Sequence, residues 1–284
     1  MPRMQRVDPL SASSVRIEPF FQEQPLASAT GFTVMSAENQ YLVTNWHVVS
    51  GRDPDTGACL DRNAAVPSSL RVWFHEKDRL GSWVAVTIPL LSSEGVPLWK
   101  EHPLGSQVDV VAIPLELPLT AAIYPLDLTL GHTDMIVEPA MPVSVIGFPL
   151  GLRAGENWPI WKTGHVASDP DIDFQIGRPA FLIDATTRSG MSGAPVVIRL
   201  NGGYSTSKGH HIMSGMGTKF VGVYAGRIHD AAEIGRVWRP FVIDEVLQGK
   251  LIFNEETGRP VPSRNELCPC NSGNRFKHCC GATP

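Results

Sequence analysis

Short apolar segments rich in valine and isoleucine recur along this chain, and most are bounded by Gly, Pro, Asn or Asp. Segments of this length and composition are typical of β-strands, and few helical patterns separate them. The sequence therefore predicts an all-β barrel or sandwich. The segments are "ATGFTVMS" (29–36), "YLVTNWHVV" (41–49), "LRVWFHE" (70–76), "WVAVTIPLL" (83–91), "DVVAIPL" (109–115), "PVSVIGFP" (142–149), "WKTGHVAS" (161–168), "AFLIDAT" (180–186), "APVVIR" (194–199) and "KFVGVYAGR" (219–227).

Three further segments break this pattern. Apolar residues of "AEIGRVWRPFVIDEVLQG" (232–249) are three and four positions apart, and Gly249 is a plausible stop, so we expect a closing helix there. The polar stretch "LIFNEETGRPVPS" (251–263) is interpreted as a linker. Residues 201–218 are rich in Gly and Ser and long for a hairpin loop, which favours either a mobile functional loop or disorder.

Composition narrows the class of protein. The chain is 43% hydrophobic and 18% charged with a net charge of -4, a balance that fits a packed core and argues against a nucleic-acid or membrane partner. The N-terminal residues lack the apolar core of a secretory signal, and no apolar run is long enough to span a bilayer. Cys59 has no partner outside the C-terminal tail, so a disulfide framework is not expected. Reduced thiols favour a cytoplasmic location.

Three residues are candidates for a nucleophilic site. Ser192 lies between glycines in "TTRSGMSGAPVV" (186–197), His47 follows an apolar run, and Asp109 opens a strand. Flanking glycines allow a close approach of substrate and the φ values that aim two N–H groups at one point. Taken singly, each has a structural explanation: a Gly-Ser turn, a core histidine and a turn-capping aspartate.

Together these segments resemble the trypsin-like serine peptidases over about residues 25–250. The motifs that carry the resemblance are "TNWHVV", "DVVAIPL", "VIGFPLG", "GMSGAP" and "FVGVYAGR". The resemblance implies two six-stranded-type β-barrels and a C-terminal helix. It also implies that Ser192 is the nucleophile, His47 the general base and Asp109 the residue that orients the histidine. The backbone N–H groups of Gly190 and Ser192 would form the oxyanion hole.

The resemblance also locates a substrate pocket. It implies that Thr186, Tyr224 and Gly226 line this pocket. Thr186 stands where trypsin itself has an aspartate, so we expect a neutral pocket rather than a preference for Arg or Lys. Met191 stands where secreted members have an aspartate that meets a newly cut N-terminal amine. Activation by such cleavage is therefore not expected.

The C-terminal tail holds Cys268, Cys270, Cys279 and Cys280, four of the five cysteines of the chain. The string "RNELCPCNSGNRFKHCCG" resembles the SEC-C motif, a small zinc-binding module. The four thiolates suit one tetrahedral Zn²⁺, and the resemblance implies a structural ion in a module that docks on other proteins. The last ligand of the motif is Cys280, with His278 as the reserve candidate.

The predicted organisation is an N-terminal extension (1–24), a peptidase domain (25–250), a linker (251–263) and a zinc module (264–284). The leading hypothesis is a cytoplasmic serine endopeptidase that cleaves protein or peptide substrates and binds a protein partner through its tail. The alternative is a catalytically silent peptidase-fold scaffold or adaptor. A metal-handling protein is a third hypothesis, for which His210 and His211 are too weak a signal.

Overall fold

The computed structural model describes residues 7–229, 231–254, 257–259 and 261–282. Two β-sheets dominate these residues, which confirms the all-β prediction. None of the helices in these ranges has the length and apolar character needed to cross a bilayer.

The N-terminal sheet has nine strands, of which three are only two residues long. Its order is β6-β5-β1-β3-β4-β8-β7, with β2 paired to β1 and β9 paired to β5. Six of its strands are longer, which matches the strand number of the first predicted barrel, but in the described residues their hydrogen-bonded order is open, whereas that of the C-terminal sheet is closed. The strands are β1 (Ser14–Phe21), β2 (Gln24–Pro25), β3 (Ala29–Ser36), β4 (Asn39–Thr44), β5 (Ser69–Glu76), β6 (Arg79–Pro89), β7 (Lys100–Glu101), β8 (Val111–Pro114) and β9 (Ala121–Ala122).

Strand β1 lies inside the segment that the sequence assigned to an N-terminal extension. It pairs with both β3 and β5, and its alternate apolar residues Val15 and Ile17 are buried. A short helix, α1 (Pro9–Ser13), precedes it, and the Asp8 carboxylate caps this helix by accepting from the Leu10 N–H. Residues 8–21 thus belong to the folded body of the N-terminal sheet.

The C-terminal sheet is a closed barrel of six strands, as predicted. Its strands are β10 (Pro142–Gly147), β11 (Ile160–Val166), β12 (Ala180–Asp184), β13 (Pro195–Thr206), β14 (Gly209–Arg227) and β15 (Ile234–Trp238). The hypothesis of a loop at 201–218 is wrong, because β13 and β14 continue as a paired hairpin as far as Thr206 and Gly209. The polar residues there fit a hairpin that projects into solvent, so no apolar alternation marks it in the sequence.

The helix predicted over 232–249 is only half correct. Ile234–Trp238 is strand β15, which pairs with β12 in a continuous antiparallel register, and helix α3 (Phe241–Gln248) begins after Pro240. Ile234–Trp238 is a strand rather than a helix because its pairing satisfies backbone groups of β12 that a helix would leave unpaired. Gly249 ends α3 in the left-handed conformation at φ 65°, as expected of a C-terminal cap.

The two sheets share one apolar core, which also receives the buried face of α3. Phe32 of β3 and Phe220 of β14 meet edge to face at 5.7 Å between ring centroids. A short helix, α2 (Trp46–Ser50), follows β4 at the boundary of the sheets. The remaining helical turns are 3₁₀ segments at Gly105–Gln107, Leu128–His132, Pro149–Gly151 and Phe276–His278.

The segment after α3 is packed rather than solvated over its first residues. Leu251 is buried with Phe276, Cys268 and Cys280, and its N–H donates to Cys280 Sγ at 3.3 Å. Phe253 and Phe276 meet edge to face at 5.1 Å. The cysteine tail therefore rests against residues that directly follow the last helix of the peptidase-like body.

Candidate active site

His47 and Asp109 are brought together by the pairing of two strands. β4 ends at Thr44, which pairs with Val111 at the start of β8, so the residues just beyond these ends are neighbours. The Asp109 carboxylate accepts from the His47 N–H at 2.9 Å and lies 2.7 Å from His47 Nδ1. The side chain of Asn45 donates to the Asp109 carbonyl at 2.7 Å, which also fixes the backbone at Asp109.

The Asp109 carboxylate sets the protonation of the imidazole. Burial alone would lower the pKa of His47, but the charge and hydrogen bond of Asp109 outweigh it and raise the pKa above its ordinary value. Asp109 is almost fully buried, with 2% of its side chain exposed, whereas His47 keeps 17% exposed. The aspartate thus acts from inside the protein, and the other face of the ring is open to a substrate.

Ser192 lies in the turn between β12 and β13, and contacts with the N-terminal sheet hold this turn. The Thr30 N–H donates to the Ser192 carbonyl at 2.9 Å, and the Gly193 N–H donates to the Tyr224 carbonyl at 2.9 Å. Gly193 has φ 84°, and a Cβ there would stand 2.2 Å from the Thr30 carbonyl. Only glycine satisfies both the conformation and the approach.

Two cavities meet at the catalytic candidates. One, of about 390 Å³, is lined by His47, Ser192 and Gly190, together with the segment 26–29. The other, of about 310 Å³, is lined by His47, Asp109 and Ser192. The structure therefore places all three predicted residues at one cleft, which runs to either side of Ser192.

The predicted oxyanion-hole residues lie in the same turn. Gly190 has φ 94°, and a Cβ there would stand 2.3 Å from the Phe148 carbonyl, so the turn is pressed against the segment that follows β10. Its carbonyl is turned inward, where it accepts from Thr30 Oγ1 at 2.7 Å. The Gly190 N–H belongs to the same peptide as the Ser189 carbonyl, which accepts from the Leu150 N–H at 2.6 Å, so the segment that follows β10 fixes the orientation of this peptide.

Thr30 is a residue that sequence reasoning missed. Its hydroxyl donates to the Gly190 carbonyl and accepts from the Phe148 N–H at 3.1 Å, and its own carbonyl accepts from Thr44 Oγ1 at 2.8 Å. It thereby joins β3, β4 and the Ser192 turn. The available signal was a threonine in the mainly apolar strand segment "ATGFTVMS", at a position where a buried hydroxyl needs partners.

Of the three predicted pocket residues, one lines the cleft. A Cβ at Gly226 would stand 4.0 Å from Ser192 Oγ, and Gly226 lines the cavity that contains Asp109. Thr186 is exposed and donates to Glu233 Oε2 at 3.2 Å. Tyr224 is buried, its hydroxyl is bonded to Thr187, and burial raises its pKa to about 12.

The four tail cysteines form a compact cluster. Their sulfur atoms all lie within 4.8 Å of one another, close to the separation of about 3.8 Å that four ligands of a tetrahedral zinc would have. All four are free thiols, with Cys268 and Cys280 buried. Burial would raise the pKa of Cys270, but hydrogen bonds from Ser272 and Cys268 outweigh it and lower the pKa to about 6. The donor set fits a thiolate-bound metal, and the exposed His278 lies outside the cluster.

Comparisons with known proteins give relatives that match a short part of the chain and solved structures that match most of it. A stretch of 55 residues is 40% identical to the protein translocase subunit SecA of Wolbachia pipientis, and the match covers 16% of this chain and 6% of SecA. The chain thus corresponds to a small fraction of that relative's length. The active form of the Rv3671c protease of M. tuberculosis is 20% identical, and the match covers 89% of this chain and 85% of that protease, with a TM-score of 0.46. A serine endoprotease of Yersinia pestis is 14% identical, and the match covers 87% of this chain and 67% of that enzyme, with a TM-score of 0.45.

Two family descriptions match the chain. Residues 29–202 match the trypsin-like peptidase domain, which is more than half of the chain, and residues 264–282 match the SEC-C motif. The first match begins at β3 and includes the positions of all three catalytic candidates. The second includes all four clustered cysteines.

Proposed function

Because the chain belongs to the trypsin-like peptidase domain family, a family of serine endopeptidases, we propose that it hydrolyses peptide bonds with Ser192 as nucleophile. The observation that carries this proposal is the hydrogen-bonded His47–Asp109 pair at a cleft that Ser192 also lines. A serine hydroxyl is a weak nucleophile at neutral pH and needs a base beside it.

Each residue has a distinct role in this mechanism. Asp109 accepts a hydrogen bond from the Nδ1–H group of His47, which leaves the Nε2 lone pair available at the cleft. His47 removes the proton from Ser192 Oγ during attack on the scissile carbonyl and later delivers it to the leaving amine. Asp109 stabilises the imidazolium that forms in between, consistent with the raised pKa of His47.

The turn that carries Ser192 supplies the oxyanion hole. The N–H groups of Gly190 and Ser192 stabilise the negative charge that develops on the carbonyl oxygen. One donor of this kind is worth about 10²–10³ in rate. Two observations support this assignment: the left-handed φ of Gly190, and the Ser189 carbonyl that accepts from the Leu150 N–H and so fixes the peptide that carries the Gly190 N–H.

The tail has a structural role in this proposal. Cys268, Cys270, Cys279 and Cys280 hold one Zn²⁺, whose chemistry here is to cross-link a segment with little apolar surface of its own. With all four positions filled by thiolates, no position is left for a substrate. Free thiols throughout support a reducing compartment, and we place the protein in the cytoplasm. The tail also offers a surface to a protein partner.

A fluorophosphonate probe tests the activity. It should label the wild-type protein at Ser192, and Ser192→Ala should abolish labelling and peptide hydrolysis without a change in the folded fraction. Ser189→Ala is the matched control, because Ser189 lines the same cavity but has no catalytic role. A wild-type protein that is folded and neither labelled nor active would support the alternative, a silent scaffold.

A further inference from the structure

A groove of about 610 Å³ lies between the cysteine tail and the peptidase domain. Its lining is mainly apolar, with a few polar side chains such as Gln107 and Arg259 at its border. Ile176 is 102% exposed and Leu267 is 71% exposed, so both apolar side chains face solvent. Its apolar lining includes Leu104, Ile176, Phe253, Val261, Leu267 and Pro269. A patch of this kind is more often a binding surface than an accident.

Two chain segments connect this groove to the catalytic cleft. Gln107 lines the groove, and Asp109, two residues later, lines the cavity that contains Ser192. Ile176 lines the groove as well, and Arg178 forms an ion pair with Asp55 of the cavity wall. Both segments therefore lead from the groove to the cavity on the side of Ser192 where Ala225 and Gly226 lie.

Strand β14 determines which end of a substrate would lie on that side. The residue pairs that β14 forms with β13 and β15 include neither Ala225 nor Gly226, so this part of β14 is available to pair with an added strand. β14 runs from Tyr224, whose carbonyl is bonded beside Ser192, towards Arg227 at the far side of the cavity. A polypeptide that pairs in the more stable antiparallel sense therefore reaches Ser192 with its C-terminal end.

We infer that the groove binds an apolar segment of the substrate polypeptide on the N-terminal side of the scissile bond, with the cysteine tail as one wall. This inference rests on the proposed peptidase function and specifies which substrate sequences the active site would prefer. The cavity between groove and Ser192 is lined by charged side chains that include Asp53, Asp55 and Arg236. The preferred substrate therefore carries polar residues next to the scissile bond and apolar residues further towards its N-terminus.

The test uses full-length protein and fluorogenic peptides with one common polar sequence at the scissile bond. One peptide carries four leucines at its N-terminal end, a second carries four serines there, and a third carries the leucines at its C-terminal end. The first should have the lowest KM. Each apolar side chain that is buried in the groove should contribute about tenfold.

Ile176→Asp should remove this advantage, because it places a charge at the groove. The fold should be kept, since Ile176 lies fully exposed in a turn. Leu119→Asp is the matched control, since Leu119 is 89% exposed and lies in neither the groove nor the cleft. Equal KM values for the leucine and serine peptides, or an advantage for the C-terminal leucines, would overturn the inference.

Binding to Ser192→Ala separates this inference from the proposed function. Fluorescence anisotropy should show tighter binding of the N-terminal leucine peptide than of the serine peptide, and Ile176→Asp should abolish the difference. If Ser192→Ala shows this binding but the wild-type protein does not react with the probe, the groove assignment holds and the catalytic proposal fails. If the probe reacts and the two peptides bind equally, the groove assignment fails alone.

Discussion

The seam between the two sheets and the cysteine tail both gather residues from distant positions, but they do so by different means. At the seam, the buried hydroxyl of Thr30 and the close approach of Gly193 lock the Ser192 turn onto β3. In the tail, two buried apolar side chains, Leu251 and Phe276, and two partly buried ones, Leu104 and Phe253, accompany four thiols. The seam thus derives its geometry from packing and hydrogen bonds, whereas in our proposal the tail would depend on an ion to hold its ligands together.

This difference predicts where a single change does the most harm. At the seam, each catalytic group is fixed by its neighbours, so a substitution that keeps the fold can still remove most of the activity. In the tail, the loss of a ligand removes the cross-link and leaves the seam untouched. The four predictions below test that contrast, from the largest expected effect to the smallest.

Asp109→Asn should have the largest effect, a loss of about 10⁴ in kcat/KM, because the amide holds the imidazole in the wrong tautomer. The wild-type kcat/KM should fall as pH drops through the pKa of His47, since protonation removes the base. That midpoint should lie above about 6.5, because Asp109 raises the pKa. Initial rates across pH 5–9 measure both quantities. A loss below tenfold in the variant would show that Asp109 does not orient the base.

Arg259→Ala should destabilise the protein by about 3–5 kcal/mol. Glu245 is fully buried in α3, and Arg259 forms an ion pair with it. His102 Nε2 lies 2.7 Å from the same carboxylate, but burial lowers the pKa of this histidine and its Nδ1 accepts from the Leu104 N–H. His102 is therefore neutral at pH 7, and Arg259 supplies the positive charge that balances the carboxylate.

Urea unfolding measures this cost. Arg79→Ala is the control, because its pair with Glu76 is exposed and should contribute at most about 1 kcal/mol. Two truncations sharpen the test: a chain that ends at Ser263 keeps Arg259, and one that ends at Lys250 lacks it. Equal stabilities of the two truncated proteins would mean that the ion pair is not needed and that the seam and the linker are independent.

Thr30→Val should reduce kcat by about tenfold to a hundredfold with little change in KM, because the Ser192 turn loses its anchor and the oxyanion donors shift. The Gly190 carbonyl and the Phe148 N–H would each lose a buried partner, which should also cost about 1–3 kcal/mol in stability. Thr30→Ser should restore kcat, since it keeps the hydroxyl. Full activity in Thr30→Val would make this threonine a packing residue.

The sequence predicted much of this arrangement, and its errors have identifiable causes. The all-β class and the Gly249 helix cap followed from local patterns, and the closed C-terminal barrel followed from the resemblance to the trypsin-like peptidases. The helix over Ile234–Trp238 was wrong, since helical spacing and alternation both fit a short apolar stretch and the edge of β12 decides between them. The hairpin at 201–218 was missed, because polar residues on both faces hide the strand period.

The sequence predicted the catalytic candidates of the site but not the contacts that hold them in place. His47, Asp109 and Ser192 were found through motifs, and they lie at one cleft. The link from Thr30 to the Gly190 carbonyl spans the two sheets, so no local pattern could reveal it. The contact of Leu251 with the cysteine cluster was missed for the same reason, because 251–263 has the composition of a solvated linker.

The smallest expected effect concerns the tail, where Cys268→Ser combined with Cys279→Ser should leave hydrolysis of a small ester within roughly twofold of the wild-type rate. Metal analysis should show about one zinc per chain in the wild type and a loss of zinc in the double variant, because two ligands cannot hold the ion. The ester occupies only the cleft at Ser192, whose walls come from the sheets, so the tail has nothing to contribute to it. The peptide with N-terminal leucines should instead lose its advantage, since Leu267 and Pro269 leave the groove wall when the cross-link is lost. If ester hydrolysis disappears while the barrel still unfolds at the wild-type urea concentration, the tail takes part in the catalytic geometry and the contrast between the two regions does not hold.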